Sequence, residues 1–292
     1  MINSRYLLRV TAELYLFSLL VVLGVVSVIA NNAYANTNPI EPVHYAYANY
    51  LGSGIYRTTG QDVTLINLPF SYQLGQEGKT TYGLRLPLSV GFFDFSYQDL
   101  PELDFPSSVG TITFTPGIEF SQQVTDDLVL ETYLDFGYAK NLTADRDVTV
   151  HSAGISSLYY FNLKQFDSIW ANRIYYAGYQ GNSVEISDQY AAIQTGIDIG
   201  FPVHYQLLGY RFQPRAFTSL FWYFNEAKFD LPLTKLASSK QEVTLTNSAE
   251  IGFTLKFDKR IGYSWAGVDR IGLSYRYSKN INVFRLLFSF PI

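Results

Sequence analysis

Three histidines, at positions 44, 151 and 204, are the residues best placed by type to do acid–base chemistry, and one of them, His151, is followed directly by Ser152. A serine beside a histidine suggests a nucleophile and its base, but the pairing depends on the local backbone. In an extended strand, adjacent side chains point to opposite faces, so His151 and Ser152 are not expected to share a proton. His44 and His204 have no close acidic partner and no HExxH spacing. The chain has no cysteine, which removes thiol catalysis, Cys-ligated zinc, disulfides and a lipid-modified N-terminal cysteine. Glycines are scattered singly rather than gathered into a phosphate-binding loop. The sequence therefore predicts no enzyme, no cofactor and no metal.

A second set of chemically capable residues is charged. Arg85, Glu119, Glu131, Asp135, Arg173, Asp198, Arg211, Arg215, Glu250, Lys256, Arg270 and Arg276 stand among small polar residues, on one face of segments whose other face is apolar. Between Asp62 and Leu74, for example, Ile66, Leu68, Phe70, Tyr72 and Leu74 alternate with Asn67, Pro69, Ser71 and Gln73. The stretch from Thr80 sets Tyr82, Leu84, Leu86, Leu88, Val90 and Phe92 against Gly83, Arg85, Pro87, Ser89 and Gly91. Val243, Leu245, Ala249, Ile251, Phe253 and Leu255 oppose Thr244, Ser248, Glu250 and Lys256, and Phe284, Leu286, Phe288, Phe290 and Ile292 line one face to the last residue. Period two over such lengths means strands.

The polar faces decide what kind of sheet this is. A soluble sandwich or barrel hides its apolar face and shows water many lysines and glutamates, whereas a membrane barrel turns the apolar face outward and keeps small polar residues inside. Here the polar faces are rich in Gly, Ser and Thr. Only 16% of residues are charged, 17% are aromatic, and tyrosine, at 24 residues, falls often near segment ends where interfacial girdles form. The charged set is thus placed in a lumen, where the residues either pair with one another or line a narrow passage.

Segments 50–58, 62–74, 80–96, 110–121, 127–139, 148–163, 167–180, 189–204, 207–224, 242–257, 266–278 and 281–292 give an all-β, antiparallel up-and-down transmembrane barrel of about 12 strands, with ten as the rival count. Long connections at 96–109, 140–147, 181–188 and 225–241 alternate with tight ones near 75–78, 122–126, 164–166 and 206. Outer-membrane barrels carry that asymmetry.

Residues 1–35 read as a signal peptide. Arg5 and Arg9 precede an apolar run from Leu14 to Ile29, and Ala33 and Ala35 mark a small-x-small cleavage site. Because the run is long, an uncleaved anchor is the competing reading. Residues 36–49 are a short periplasmic segment in which 43–50 could form a helix that plugs the lumen, and 50–292 are the barrel. With a net charge of −4, the chain is not expected to bind nucleic acid.

The run Ala48-Asn49-Tyr50-Leu51-Gly52-Ser53-Gly54-Ile55-Tyr56, with Gly60-Gln61-Asp62-Val63 and Leu68-Pro69-Phe70-Ser71-Tyr72, resembles the opening of the solitary outer-membrane autotransporter-like β-barrel proteins of Gram-negative bacteria. Leu84-Arg85-Leu86-Pro87-Leu88, Gly91-Phe92-Phe93-Asp94-Phe95, Thr115-Pro116-Gly117-Ile118-Glu119, Ser152-Ala153-Gly154-Ile155 and the ending Phe288-Ser289-Phe290-Pro291 extend the resemblance. It implies an outer-membrane, translocator-like barrel without a passenger, with a structural or pore-like role. Its expected partners are outer-membrane lipids, the barrel assembly machinery and an unidentified cargo or partner chain. Phe288, Phe290 and Ile292 would form the C-terminal assembly signal, from which Ile292 departs because an aromatic residue is usual there. A small diffusion channel is the alternative, and an outer-membrane hydrolase a more distant one.

Overall fold

The computed structural model describes residues 53–57, 62–93, 110–142, 146–182, 187–207, 209–224, 227–231, 241–245, 247–263, 266–279 and 282–292. The expected cleavage site at Ala33 and Ala35, His44 and the segment 36–49 lie outside them.

The described residues form sixteen strand segments: β1 (Gly54–Arg57), β2 (Asp62–Glu77), β3 (Thr80–Phe93), β4 (Thr111–Phe114), β5 (Gly117–Gln123), β6 (Leu128–Asn141), β7 (Arg146–Leu163), β8 (Phe166–Gly181), β9 (Ser187–Gly200), β10 (Tyr205–Leu207), β11 (Tyr210–Tyr223), β12 (Ala227–Leu231), β13 (Gln241–Leu245), β14 (Ser248–Tyr263), β15 (Ala266–Ser278) and β16 (Asn282–Leu287). All but β12 and β13 belong to one sheet. Because β4 and β5 both lie between β3 and β6, they occupy a single position. Likewise β9 and β10 both pair with β11. Fourteen segments thus fill twelve positions, each antiparallel to its neighbours, and β1 pairs with β16 to close the ring. The fold is an up-and-down β-barrel of twelve strands.

The alternation in the sequence explains the pairing. Along β2 and β3, Phe70 faces Leu86 and Leu68 faces Leu88, while Asn67 faces Ser89, so large apolar and small polar residues form separate cross-strand ladders. The polar ladder is stitched by Asn67 Nδ2, which donates to Ser89 Oγ at 3.0 Å. Exposure divides the two faces: Ile251, Leu273 and Phe284 are 67%, 64% and 65% exposed, while Asp135, Asp198 and Arg215 are 0% exposed. The wall is therefore apolar outside and polar within. At about 3.4 Å per residue, strands of 14 to 18 residues tilted by about 35–45° stand roughly 35–50 Å tall, more than the apolar band of about 25 Å that an outer membrane requires.

Short turns at one rim rely on left-handed backbone: Gly78 has φ 58° and Gly209 φ 83°, values that cost an L side chain and suit glycine. At the other rim, β12 and β13 pair only with each other.

Four segments differ from the sequence reading. Segment 110–121 is interrupted at Thr115–Pro116, where proline removes a ladder donor, although Phe136 N still donates to Pro116 O at 2.9 Å. Segment 189–204 ends at Gly200, and β10 resumes at Tyr205 with the register shifted. Segment 242–257 is not one strand: Gln241–Leu245 pairs with Ala227–Leu231, and the barrel strand runs Ser248–Tyr263. The alternation does not carry through to Tyr263 because a register shift between Lys256 and Ile261 breaks it. Finally, the last strand stops at Leu287 instead of continuing to residue 292.

Candidate functional site

The described site is the lumen, and its charges form layers. Near the short-turn rim, Asp198 on β9 accepts from Arg215 Nε at 2.7 Å and from Arg270 Nη1 at 3.0 Å. Arg215 also donates through Nη1 to Asp167 Oδ2 and to Gln213 Oε1, the latter at 2.9 Å, while Gln213 Nε2 donates to Asp167 Oδ1 at 2.6 Å. Lys256 stands opposite Arg270 in the β14–β15 ladder. One carboxylate between two buried guanidiniums is a demanding arrangement, because buried charge is tolerated only when it is paired and hydrogen-bonded.

Above this layer, Glu250 accepts from Arg285 Nη1 at 2.9 and 2.7 Å and from Ser274 Oγ at 2.5 Å. Arg276 lies 3.6 Å over the Phe221 ring, donates from Nε to Ser248 Oγ at 2.8 Å, and donates through Nη2 to the Tyr223 hydroxyl. Its guanidinium is held by aromatic faces and hydroxyls.

On the opposite wall, Arg85 donates to Asp135 from Nε at 3.0 Å and from Nη2 at 3.3 Å, lies 4.2 Å over the Tyr133 ring, and sits 3.8 Å from Glu119. Glu131 is on the same β6 face as Asp135 and faces Ser121 and Ser156. The side chains of Arg85 and Glu119 are 29% and 37% exposed, so solvent reaches the arginine on this wall, whereas in the Arg215 layer it reaches Asp167 and not the guanidinium. Arg211 reaches Asp258 at 3.4 Å with both groups exposed at the rim, a geometry that contributes about 0–1 kcal/mol.

The end of the chain enters this lumen. After Leu287 it leaves the sheet, and Ile292, 1% exposed, packs against Leu158, Ile169, Ala171, Phe217 and Leu287. Arg173, which also donates to Ser156 Oγ at 3.0 Å, donates from Nη2 to Ile292 O at 3.1 Å. Gln194 Nε2 donates to Pro291 O at 3.2 Å, and the Arg270 guanidinium lies 5.0 Å from the centre of the Phe290 ring. The expectation that Phe288, Phe290 and Ile292 continue the outward stripe of Phe284 and Leu286 is corrected: the strand has ended before them, and Ile292 is enclosed. Burying that side chain contributes about 1.5–3 kcal/mol. Gly196 makes the close approach possible, since a Cβ there would lie 2.8 Å from Ile292 Cδ1 and 2.5 Å from Thr218 O.

Several lumen residues are absent from the sequence-derived set: Asp167, Gln194, Gln213, Arg285, and at the rim Asp258. Arg285 alternates with Phe284 and Leu286, and Asp167 has the parity of Arg173, so the same period-two count reaches both. Gln194 and Gln213 are uncharged and give no such signal. His151 and Ser152 lie on opposite faces of β7: His151 Nε2 is 3.1 Å from the Tyr176 hydroxyl, whereas the buried Ser152 Oγ donates to Tyr176 O at 2.7 Å. His204 is exposed at the short-turn rim. Among the described residues, no three His, Cys, Asp or Glu side chains gather as a metal-binding set.

No protein-family model matches the sequence, and no curated protein matches it significantly. Among solved structures, the beta domain of the Bordetella autotransporter BrkA aligns with a TM-score of 0.49 at 12% identity, over 80% of this chain and 94% of that one. The outer membrane transporter YddB from Escherichia coli aligns with a TM-score of 0.30 at 10% identity over 77% of this chain. The alignment spans 35% of that transporter.

Proposed function

We propose that the chain is an integral β-barrel of a Gram-negative outer membrane, non-enzymatic and without a passenger, in which the barrel itself is the functional unit and its lumen is closed to bulk diffusion. The observation that carries the reading is the inverted polarity of the wall. Leucine, isoleucine and phenylalanine side chains stand on the outside at exposures from 38% at Ile112 to 67% at Ile251, while Arg215, Asp198 and Glu250 are enclosed. Such a surface is unfavourable in water and matched to lipid. Aromatic residues support the same placement. Tyr205, Tyr210, Phe212 and Phe257 cluster at the short-turn end, as an interfacial girdle would. A twelve-stranded ring is wider than one that side chains alone fill easily, and the Arg215–Asp198–Arg270 and Arg285–Glu250 groups, together with residues 288–292, occupy the space.

The partial exposure of Arg85 and Glu119 favours a second reading, a narrow off-centre path for small solutes along the β3–β6 wall. Fractionation with heat-modifiable gel mobility tests the barrel, and planar-bilayer recording separates the two readings. A closed lumen gives little or no steady current, and a large stable conductance would overturn it.

A further inference from the structure

We propose that the lumen wall carries a peptide-binding site whose resident ligand is the chain's own segment Phe288–Ile292, and that occupation of this site closes the lumen. The inference rests on the barrel reading above and adds the site, its ligand and its consequence.

The contacts are those of peptide recognition. Two consecutive backbone oxygens are read by two side chains from different strands, Pro291 O by Gln194 on β9 and Ile292 O by Arg173 on β8. A side-chain pocket takes Ile292, which joins Leu158, Ile169, Ala171 and Phe217 in one buried apolar cluster. Phe290 is met by the Arg270 guanidinium at 5.0 Å, an attraction of a cation for a ring face. Arg173 and Gln194 bond backbone oxygens, while the pocket and the guanidinium recognise an aliphatic and an aromatic side chain. The ligand class is therefore a short peptide segment with an aromatic residue two positions before an aliphatic one. Pro291 has no N–H to leave unpaired in the lumen and fixes the backbone before Ile292.

The segment is also separable from the barrel. β16 ends at Leu287, and among the described residues β1 pairs with β16 through Asn282–Arg285, with Leu286 N also donating to Ser53 O at 3.2 Å. Among the described residues the ring therefore closes without residues 288–292, and their withdrawal leaves the described strand pairings intact. What changes is the lumen, because the tail spans from β16 to the β8–β9 wall.

The test uses the full-length chain refolded into lipid bilayers, with heat-modifiable mobility checked for each protein. Three variants are compared with the parent: Arg173→Ala with Gln194→Ala, which weakens the wall; Ile292→Lys, which places a charge in the apolar pocket beside Arg173; and Ile292→Cys, a mild probe in a chain without cysteine. The expected results are a several-fold rise in single-channel current for the first two and slow reaction of Ile292→Cys with a water-soluble maleimide. Excess free pentapeptide Phe-Ser-Phe-Pro-Ile should restore the low current of Ile292→Lys but not that of the wall variant. Unchanged current in a folded release variant, failure of the peptide to act on Ile292→Lys, or rapid labelling of Ile292→Cys would each overturn the proposal. Absence of a heat-modifiable parent would instead overturn the barrel reading beneath it.

Discussion

Arg285 on β16 grips Glu250 on β14 across the intervening strand β15, its Nη1 lying 2.9 and 2.7 Å from the two carboxylate oxygens. Both side chains point inward, and Ser274 on β15 completes the set by donating to the same carboxylate. The pair therefore connects the strand that closes the ring to its second neighbour.

Removing one partner should be worse than removing both. Glu250→Ala leaves Arg285 enclosed without its counter-charge, a change that costs about 3–5 kcal/mol, whereas replacing both residues by apolar side chains of similar size is often neutral. The expected order of urea midpoints for the barrel in vesicles is therefore parent and Glu250→Leu/Arg285→Met together, with Glu250→Ala well below. Tryptophan fluorescence follows the transition, since the chain holds three tryptophans.

Asp198 and Asp135 are both fully enclosed, yet they should respond differently to amidation. Asp198 serves Arg215 and Arg270, whose side chains are 0% and 3% exposed. Asp198→Asn thus leaves Arg215 with Asp167 but takes from the enclosed Arg270 the carboxylate to which it donates. Arg85, the partner of Asp135, retains Glu119 at 3.8 Å and some contact with solvent. In the same urea assay Asp198→Asn should lower the midpoint clearly more than Asp135→Asn, and equal losses would mean that the two layers are equally solvated.

Gly154 on β7 lies beneath the Tyr133 ring, where an added Cβ would come 2.9 Å from Tyr133 Cζ. That ring carries the Arg85 guanidinium at 4.2 Å. Gly154→Val should therefore destabilise by about 1–3 kcal/mol through overpacking, and Tyr133→Ala should recover part of the loss. A double-mutant cycle measures the coupling, and strict additivity would show that the ring does not rest on the glycine.

Much of this arrangement is legible in the sequence because period two is a strong signal when one face is apolar and the other small and polar. Twelve strand positions and the separation of Leu68, Phe70, Leu86 and Leu88 from Asn67, Arg85 and Ser89 follow from counting residues. What counting misses has a physical cause in each case. The register shift after Lys256 changes the parity that would have carried β14 to Tyr263. The pairing of Gln241–Leu245 with Ala227–Leu231 depends on a partner across a long connection, which no local pattern encodes. At the end of the chain, Phe288, Phe290 and Ile292 keep the alternation of a strand. Their placement is set instead by Gln194 and Arg173, nearly a hundred residues or more distant in sequence.

The inside–outside division of the wall is tested most directly by single cysteines placed in turn from position 270 to 276 of β15, labelled with a fluorophore in the otherwise cysteine-free chain and reconstituted with bromine-labelled lipids. Labels at Ile271, Leu273 and Tyr275 should be quenched by lipid, and labels at Arg270, Gly272, Ser274 and Arg276 should not. Uniform quenching, or none along the whole strand, would contradict a barrel that turns its apolar face to the membrane.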